Sequence, residues 1–160
     1  MPPAFGPFRR ARRAVEPALA GSLREWKSLR EHDPSRPAHA GRWVVVDVES
    51  SGLDAGRDAL IAVGALAVVD GVIDLADSFE VIIRQAAPSS DENIVVHGIG
   101  GTEQTEGEAP AAALAEFLAF VRKDPLVAFH APFDSIMLKR AIDEHLGIAF
   151  RRPWLDLADV

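Results

Sequence analysis

Trp43-Val44-Val45-Val46-Asp47-Val48-Glu49-Ser50-Ser51-Gly52-Leu53 is the stretch on which the reading of the fold turns. Its first half is a near-continuous run of β-branched residues, the pattern of a strand buried on both faces. Charge is costly in such a strand, yet two carboxylates interrupt it. Side chains alternate across a strand, so Asp47 and Glu49 share a face, with Cα atoms about 6 to 7 Å apart at a rise of about 3.3 Å per residue. Carboxylates that close repel each other. A raised pKa on one of them or a bound cation relieves the repulsion, and oxygen ligands suit hard divalent ions such as Mg²⁺ and Mn²⁺. Ser50-Ser51-Gly52 ends the strand, and loops at strand carboxyl ends are where open α/β sheets bind ligands. Two solvated acids at a strand end satisfy the same pattern, so the pair gains meaning only from the rest of the chain.

Downstream of that strand, Leu60 to Val69 and Val72 to Ile83 are β-rich runs joined by Asp70-Gly71, a strong hairpin signal, so the first three strands form an antiparallel meander. Residues 86 to 107 are rich in Pro, Ser, Gly and Glu and read as a long loop around Ile94-Val95-Val96 and His97-Gly98-Ile99. Pro110 suits the first turn of a helix whose stripe is Leu114, Phe117, Leu118 and Val121, with Pro125 as its stop. Leu126 to Phe129 reads as a short strand. Pro132 then opens a helix with Phe133, Met137, Leu138, Ala141 and Ile142 inward and Gly147 as its C-cap. Asp134 falls in the first turn of that helix, where the dipole favours an acid in any case. Pro153 to Leu157 is a fifth short strand.

Upstream, Val15, Leu19, Leu23 and Trp26 recur at helical spacing, and Pro34 and Pro37 mark a linker in which His32 and His39 read as plain solvated residues. The organisation is therefore a basic tail, amphipathic helix and linker over residues 1–41, and a main domain over residues 42–160. The two parts differ in charge, about +4 and −11 of the total −7, with Arg9, Arg10, Arg12 and Arg13 in the tail. An acidic body argues against a broad basic grip on nucleic acid, unless bound cations become its largest local positive charges. There is no cysteine, which excludes disulfides and cysteine-ligated zinc. The arginine cluster is not followed by a long apolar segment, so a soluble cytoplasmic protein is expected.

Two separated motifs agree. Val46-Asp47-Val48-Glu49-Ser50-Ser51-Gly52-Leu53 resembles the first motif of the DEDD (DnaQ-like) superfamily of 3′-to-5′ exonucleases, and Leu126-Val127-Ala128-Phe129-His130-Ala131-Pro132-Phe133-Asp134 resembles its second. Leu60 to Ala65 and Val96-His97-Gly98-Ile99 are also similar to that family, close to the proofreading epsilon subunits of bacterial DNA polymerase III. The resemblance spans residues 43 to 157. It implies an α/β, ribonuclease H-like fold with a mixed five-stranded sheet flanked by helices. It also implies phosphodiester hydrolysis at a single-stranded or frayed nucleic-acid 3′ end, DNA ahead of RNA although no residue here reads the sugar, releasing nucleoside monophosphates, with a DNA polymerase subunit as a partner.

Two Mg²⁺ or Mn²⁺ ions, roughly 3.5 to 4 Å apart, assist such chemistry. Carried over residue by residue, Asp47 bridges both ions, Glu49 binds one and Asp134 holds the second, so these three are the catalytic and metal-binding set. Ser50, Ser51 and Gly52 lie against the terminal nucleotide, with Leu53 as a wedge beside its base. His97 and Ile99 line the same pocket, and His130 and Phe133 of the second motif complete the substrate contacts. Two departures stand out. Phe129-His130 replaces the family's frequent His-Asn. The third motif, a general-base histidine followed five residues later by an acid, has no counterpart, since His145 is followed at that distance by Phe150. The expectation is thus an exonuclease domain impaired without its C-terminal helix. A non-catalytic ribonuclease H-like module that binds a polymerase or nucleic acid is the alternative.

Overall fold

The structure, a computed structural model, describes residues 17–35, 37 and 40–160. The arginine cluster, Val15 and His39 lie outside the described residues. Strand β1 (Arg42–Ser50) pairs antiparallel with β2 (Leu60–Val69), which pairs antiparallel with β3 (Val72–Ile82). Asp70 and Gly71 turn that hairpin with φ of 51° and 80°, the positive values a tight two-residue loop demands. On the other side of β1, β4 (Leu126–Ala128) runs parallel to it, and β5 (Trp154–Asp156) runs parallel to β4. The order is β3-β2-β1-β4-β5, the expected mixed five-stranded sheet.

Helices α1 (Ala20–Ser28), α4 (Pro110–Val121) and α5 (Ala131–Leu146) pack on the face that presents Val44, Val46 and Val48, and together they form the core. The stripe Leu114, Phe117, Leu118 and Val121 is buried there as its spacing requires, with Met137, Leu138 and Ile142 from α5. Helix α4 ends at Val121, where Arg122 adopts φ 51°, before Pro125 is reached. Pro125 instead starts β4, its carbonyl accepting from Val44 N–H at 3.1 Å. Gly147 caps α5 at φ 64°, a left-handed conformation that costs glycine nothing.

Four expectations need correction. Strand β1 is not buried on both faces: Val44, Val46 and Val48 are buried, whereas Val45 is half-buried and Asp47 exposed on the opposite side. Asp47 is therefore open to solvent on that second side of β1. Residues 86–107 are not one loop. They hold α2 (Asp91–His97), begun by Ser90 Oγ accepting from Asn93 N–H and ended by Gly98 at φ 75°, and α3 (Gly101–Glu106). Both helices are too short for an apolar stripe to show. His32 is half-buried, its ring edge-on to Trp43 at 6.3 Å, rather than simply solvated.

Finally, the division after residue 41 follows no break in packing. Leu23 and Trp26 of α1 are 5% and 6% exposed and belong to the same core as α4. Trp26 Nε1–H donates to the Arg122 carbonyl at 2.8 Å, and Lys123 Nζ sits 3.3 Å from the centre of the indole. Glu31 beyond the helix pairs with Lys123 and Arg152, and the Arg152 hydrogen bond holds its carboxyl below the usual range. Among the described residues no helix is long and apolar enough to cross a membrane.

Candidate active site

Strands β1, β4 and β5 are parallel neighbours, so their carboxyl ends meet at one edge of the sheet. Asp47 and Glu49 end β1, Asp134 opens α5 just beyond β4, and Asp156 ends β5. Across the antiparallel ladder Asp47 faces Gly64 and Glu49 faces Ala62. Neither partner has a side chain larger than a methyl group.

The turn after β1 is built from its own polar groups. Ser50 Oγ donates to the Gly52 carbonyl at 2.6 Å, and Ser51 Oγ accepts from Ala59 N–H at 2.9 Å. A Cβ at Gly52 would run into the Asp58 carboxylate, which accepts from Asp54 N–H at 2.7 Å, so glycine is required there. The guanidinium of Arg140 on α5 donates to the carbonyls of Ala55 and Asp58 and pins this loop to the core. Leu53 at the tip is 94% exposed. The hydroxyls of Ser50 and Ser51 are thus spent on shaping the turn, and what the turn offers outward is Leu53.

Asp134 is 4% exposed. Burial pushes its carboxyl up to about 6, Asp47 and Asp156 add to the rise, and the amides of Asp134 and Val48 oppose it. Burial also raises Glu49, with Asp47 adding and His97 opposing. Asp156 shifts downward, chiefly through the Ala158 amide at 3.0 Å, and it also accepts from His130 N–H at 2.9 Å. That bond supports His130 in a left-handed conformation, φ 59°, unusual for a residue with a side chain.

The remaining residues expected at the site divide. The His97 ring reaches Glu49 electrostatically, while Ile99 is half-buried and bonds to His97 through its main chain. His130 stands at the junction of β4 and α5 against Phe129, which is 67% exposed. Phe133 is half-buried and packs against the core. Asp156, Asn93 and Gln104 were missed: Asp156 enters through the pairing of Ala128 with Asp156, Asn93 by donating its amide to the Ser51 carbonyl, and Gln104 through its bonds around His97. Only the strand order would have revealed Asp156.

The donor chemistry fits hard divalent ions, since every group of the cluster is a carboxylate and the buried one resists ionising alone. The cluster converges without closing: among the described residues no three His, Asp or Glu side chains form a ready cage.

In the metal-free protein the sign of the Asp134 effect is definite. A carboxyl held at about 6 when folded and near 3.9 when unfolded binds its proton more tightly in the folded state. Its contribution to stability is full below about pH 3.9 and is lost as pH rises through about 6, a difference of about 3 kcal/mol. Urea unfolding in chelator should therefore show Asp134→Asn more stable than wild type at pH 8, with the gap closing near pH 4. A gap of the same size at both pH values would mean that the carboxyl is not perturbed.

A family model described as Exonuclease (RNase_T) matches residues 44–159. The chain belongs to the exonuclease family. This assignment places it in the DEDD superfamily, and its sheet order and helices have the ribonuclease H-like fold. Among relatives of this exonuclease chain, a DNA polymerase III PolC-type protein of Thermotoga petrophila is 31% identical over 114 residues, covering 71% of the chain and 8% of that protein. A DNA polymerase III subunit epsilon-like protein of Rhodobacter capsulatus is 33% identical over 117 residues, covering 71% and 16%. The chain thus spans less than a fifth of either relative's length. Among solved structures, exonuclease I superposes with a TM-score of 0.62 at 14% identity, over 75% of this chain and 30% of that one. At that identity the likeness speaks for the fold alone.

Proposed function

We propose that this exonuclease domain removes nucleotides from the 3′ end of single-stranded or frayed nucleic acid, DNA rather than RNA, with Mg²⁺ or Mn²⁺. In this reading it works in the cytoplasm beside a DNA polymerase. One observation supports it: Asp47 and Glu49 at the end of β1 and Asp134 just beyond the neighbouring parallel strand β4 are electrostatically coupled through Asp47, and the turn after β1 exposes Leu53.

Asp47, coupled electrostatically to both other carboxylates, would hold the ions together with Glu49 and Asp134. Ions bound there supply a Lewis acid that activates water and stabilises the departing oxygen. The chain's own side chains do the rest. Leu53, exposed in the turn after β1, and Phe129, exposed after β4, offer apolar surface to unpaired bases, which stack without regard to sequence. Ser50, Ser51 and Gly52 hold the Leu53 tip in place, and Asn93 ties α2 to the same turn. Ile99 N–H holds the His97 ring, which is coupled electrostatically to Glu49, and the His130 ring packs against Phe129.

The proton of the attacking water needs an acceptor. Both nitrogens of His97 are already hydrogen-bonded. The resemblance to the family gives the base to the histidine of the third motif, with a fourth acidic ligand five residues later, and we propose that such a motif fills both roles here.

Digestion of a single strand labelled at its 5′ end, in Mn²⁺, tests this reading. The label should stay on a ladder that shortens stepwise while unlabelled nucleoside monophosphates appear. A chain extended through a histidine and an acid five residues apart should be about 10² to 10⁴-fold faster, the contribution typical of a general base. Early release of the label as a mononucleotide would reverse the polarity. Metal-dependent nucleotide binding without any hydrolysis, even in the extended chain, would instead favour a binding module.

A further inference from the structure

Helices α2 and α3 stand beside the carboxylates with almost nothing apolar beneath them. Helix α2 has no buried residue, and Val95 and Val96 on it are more than 80% exposed. The one buried residue of α3 is a glutamine, Gln104, with no solvent exposure at all. Segments of seven and six residues do not hold helical shape alone. Polar contacts must fix them, and Gln104 is where those contacts converge.

Its side-chain amide is fully used. Nε2 donates to Ser89 Oγ at 3.1 Å and to the Ile99 carbonyl at 2.9 Å, and Oε1 accepts from Ser89 N–H at 2.8 Å. Its main-chain carbonyl accepts from Gln85 N–H at 2.7 Å, just beyond the end of β3. The two residues so clamped are the two that hold the imidazole of His97. Ser89 Oγ lies 3.2 Å from Nε2, and Ile99 N–H donates to Nδ1 at 3.0 Å. A main-chain N–H pointing at Nδ1 requires a lone pair there, so the ring proton sits on Nε2 and is donated to Ser89 Oγ. One buried amide therefore sets both contacts of a ring that faces Glu49.

We propose that Gln104 is a positioning residue of the exonuclease site: through Ser89 and Ile99 it fixes the His97 ring, in its Nε2–H tautomer, as the wall against which the terminal nucleotide is placed. The inference rests on the proposed function for the meaning of that wall, and on the hydrogen bonds alone for the clamp. A leucine at position 104 would fill the same buried space but hold neither neighbour.

The test uses protein with ¹⁵N-labelled histidine at fixed pH, comparing wild type, Gln104→Leu, Ser89→Ala and the double variant. Long-range ¹H–¹⁵N correlation should show His97 as one Nε2–H tautomer in wild type and in Ser89→Ala, where Ile99 N–H still meets Nδ1, and as a tautomer mixture in Gln104→Leu and the double variant. Thymidine monophosphate affinity in Mn²⁺ should fall on the order of tenfold in each single variant, the lower end for residues that orient a site. The double variant should fall no further, because both act through one ring. Near-ultraviolet circular dichroism checks that each variant is folded; should Gln104→Leu not fold, the affinity of Ser89→Ala, which removes only the hydroxyl shared by Gln104 and the ring, decides. An unchanged tautomer and affinity in a folded variant would overturn the clamp. A tautomer that responds as expected in a protein that binds no thymidine monophosphate would uphold the clamp and overturn the exonuclease reading.

Discussion

Asparagine in place of Asp47 is expected to slow mononucleotide release by about 10² to 10⁴-fold, the largest effect on activity of any single substitution in this domain. Asp47 is the carboxylate common to the site, since it raises the pKa of both Glu49 and Asp134. Asparagine keeps the shape and one oxygen but removes the charge that would hold two cations. Metal-assisted stabilisation is worth several kcal/mol, and at about 1.36 kcal/mol per decade this gives the range stated. Asp47 is exposed and faces Gly64, so the fold should be indifferent to the change. The measurement is mononucleotide release by the extended chain with and without the substitution, together with their unfolding midpoints. Equal rates would remove Asp47 from the chemistry. A large drop in midpoint would make it a structural residue instead.

The largest effect on stability is expected at Trp26, far from the site. Alanine there removes a buried indole, its bond to the Arg122 carbonyl, and the ring over which Lys123 lies. Truncating a buried tryptophan costs about 3 to 5 kcal/mol. For a chain of this length that lowers the melting temperature by roughly 6 to 20 °C. Lys123 is itself 7% exposed, so losing the ring also strips cover from a cation. A chain beginning at Gly41 should fare worse, because it uncovers the surface of α4 on which Leu23 and Trp26 sit. Thermal unfolding of Trp26→Ala, and of the shortened chain, reads both effects. Midpoints within a few degrees of wild type would show that residues 17–41 ride on the domain without stabilising it.

What the sequence revealed follows from which signals are local. The Asp70-Gly71 hairpin, the stripe of α4 and the Gly147 cap depend on neighbouring residues, and each formed as read. The shared face of Asp47 and Glu49 follows from strand geometry and held too. The convergence of Asp134 with them was reached only through a resemblance, because the parallel pairing of β1 with β4 joins segments about 80 residues apart. Other features left no periodic trace. Helices α2 and α3 are shorter than a hydrophobic repeat and are held by Asn93 and Gln104, polar residues that read as loop. Proline and charge around residues 30 to 41 suggested a separable arm, whereas two side chains, Leu23 and Trp26, were enough to tie α1 into the core. The open side of β1 was illegible as well, since valines at 44, 45 and 46 look alike until the sheet shows which of them a helix covers.

The central claim is that these carboxylates are arranged to hold a divalent cation, so that the site is under charge strain without one. Thermal unfolding of wild type and Asp134→Asn at pH 8, in chelator and in Mn²⁺, tests this directly. In chelator the variant should melt higher, because it buries no lone charge beside Asp47. Mn²⁺ at about 1,000 times its dissociation constant should stabilise wild type by about 4.1 kcal/mol, more than the about 3 kcal/mol that the buried charge costs, and so reverse that order, while moving the variant, which keeps only Asp47 and Glu49, by clearly less. If Mn²⁺ shifts both proteins equally, or if the variant already melts lower in chelator, the carboxylate cluster is not the metal site.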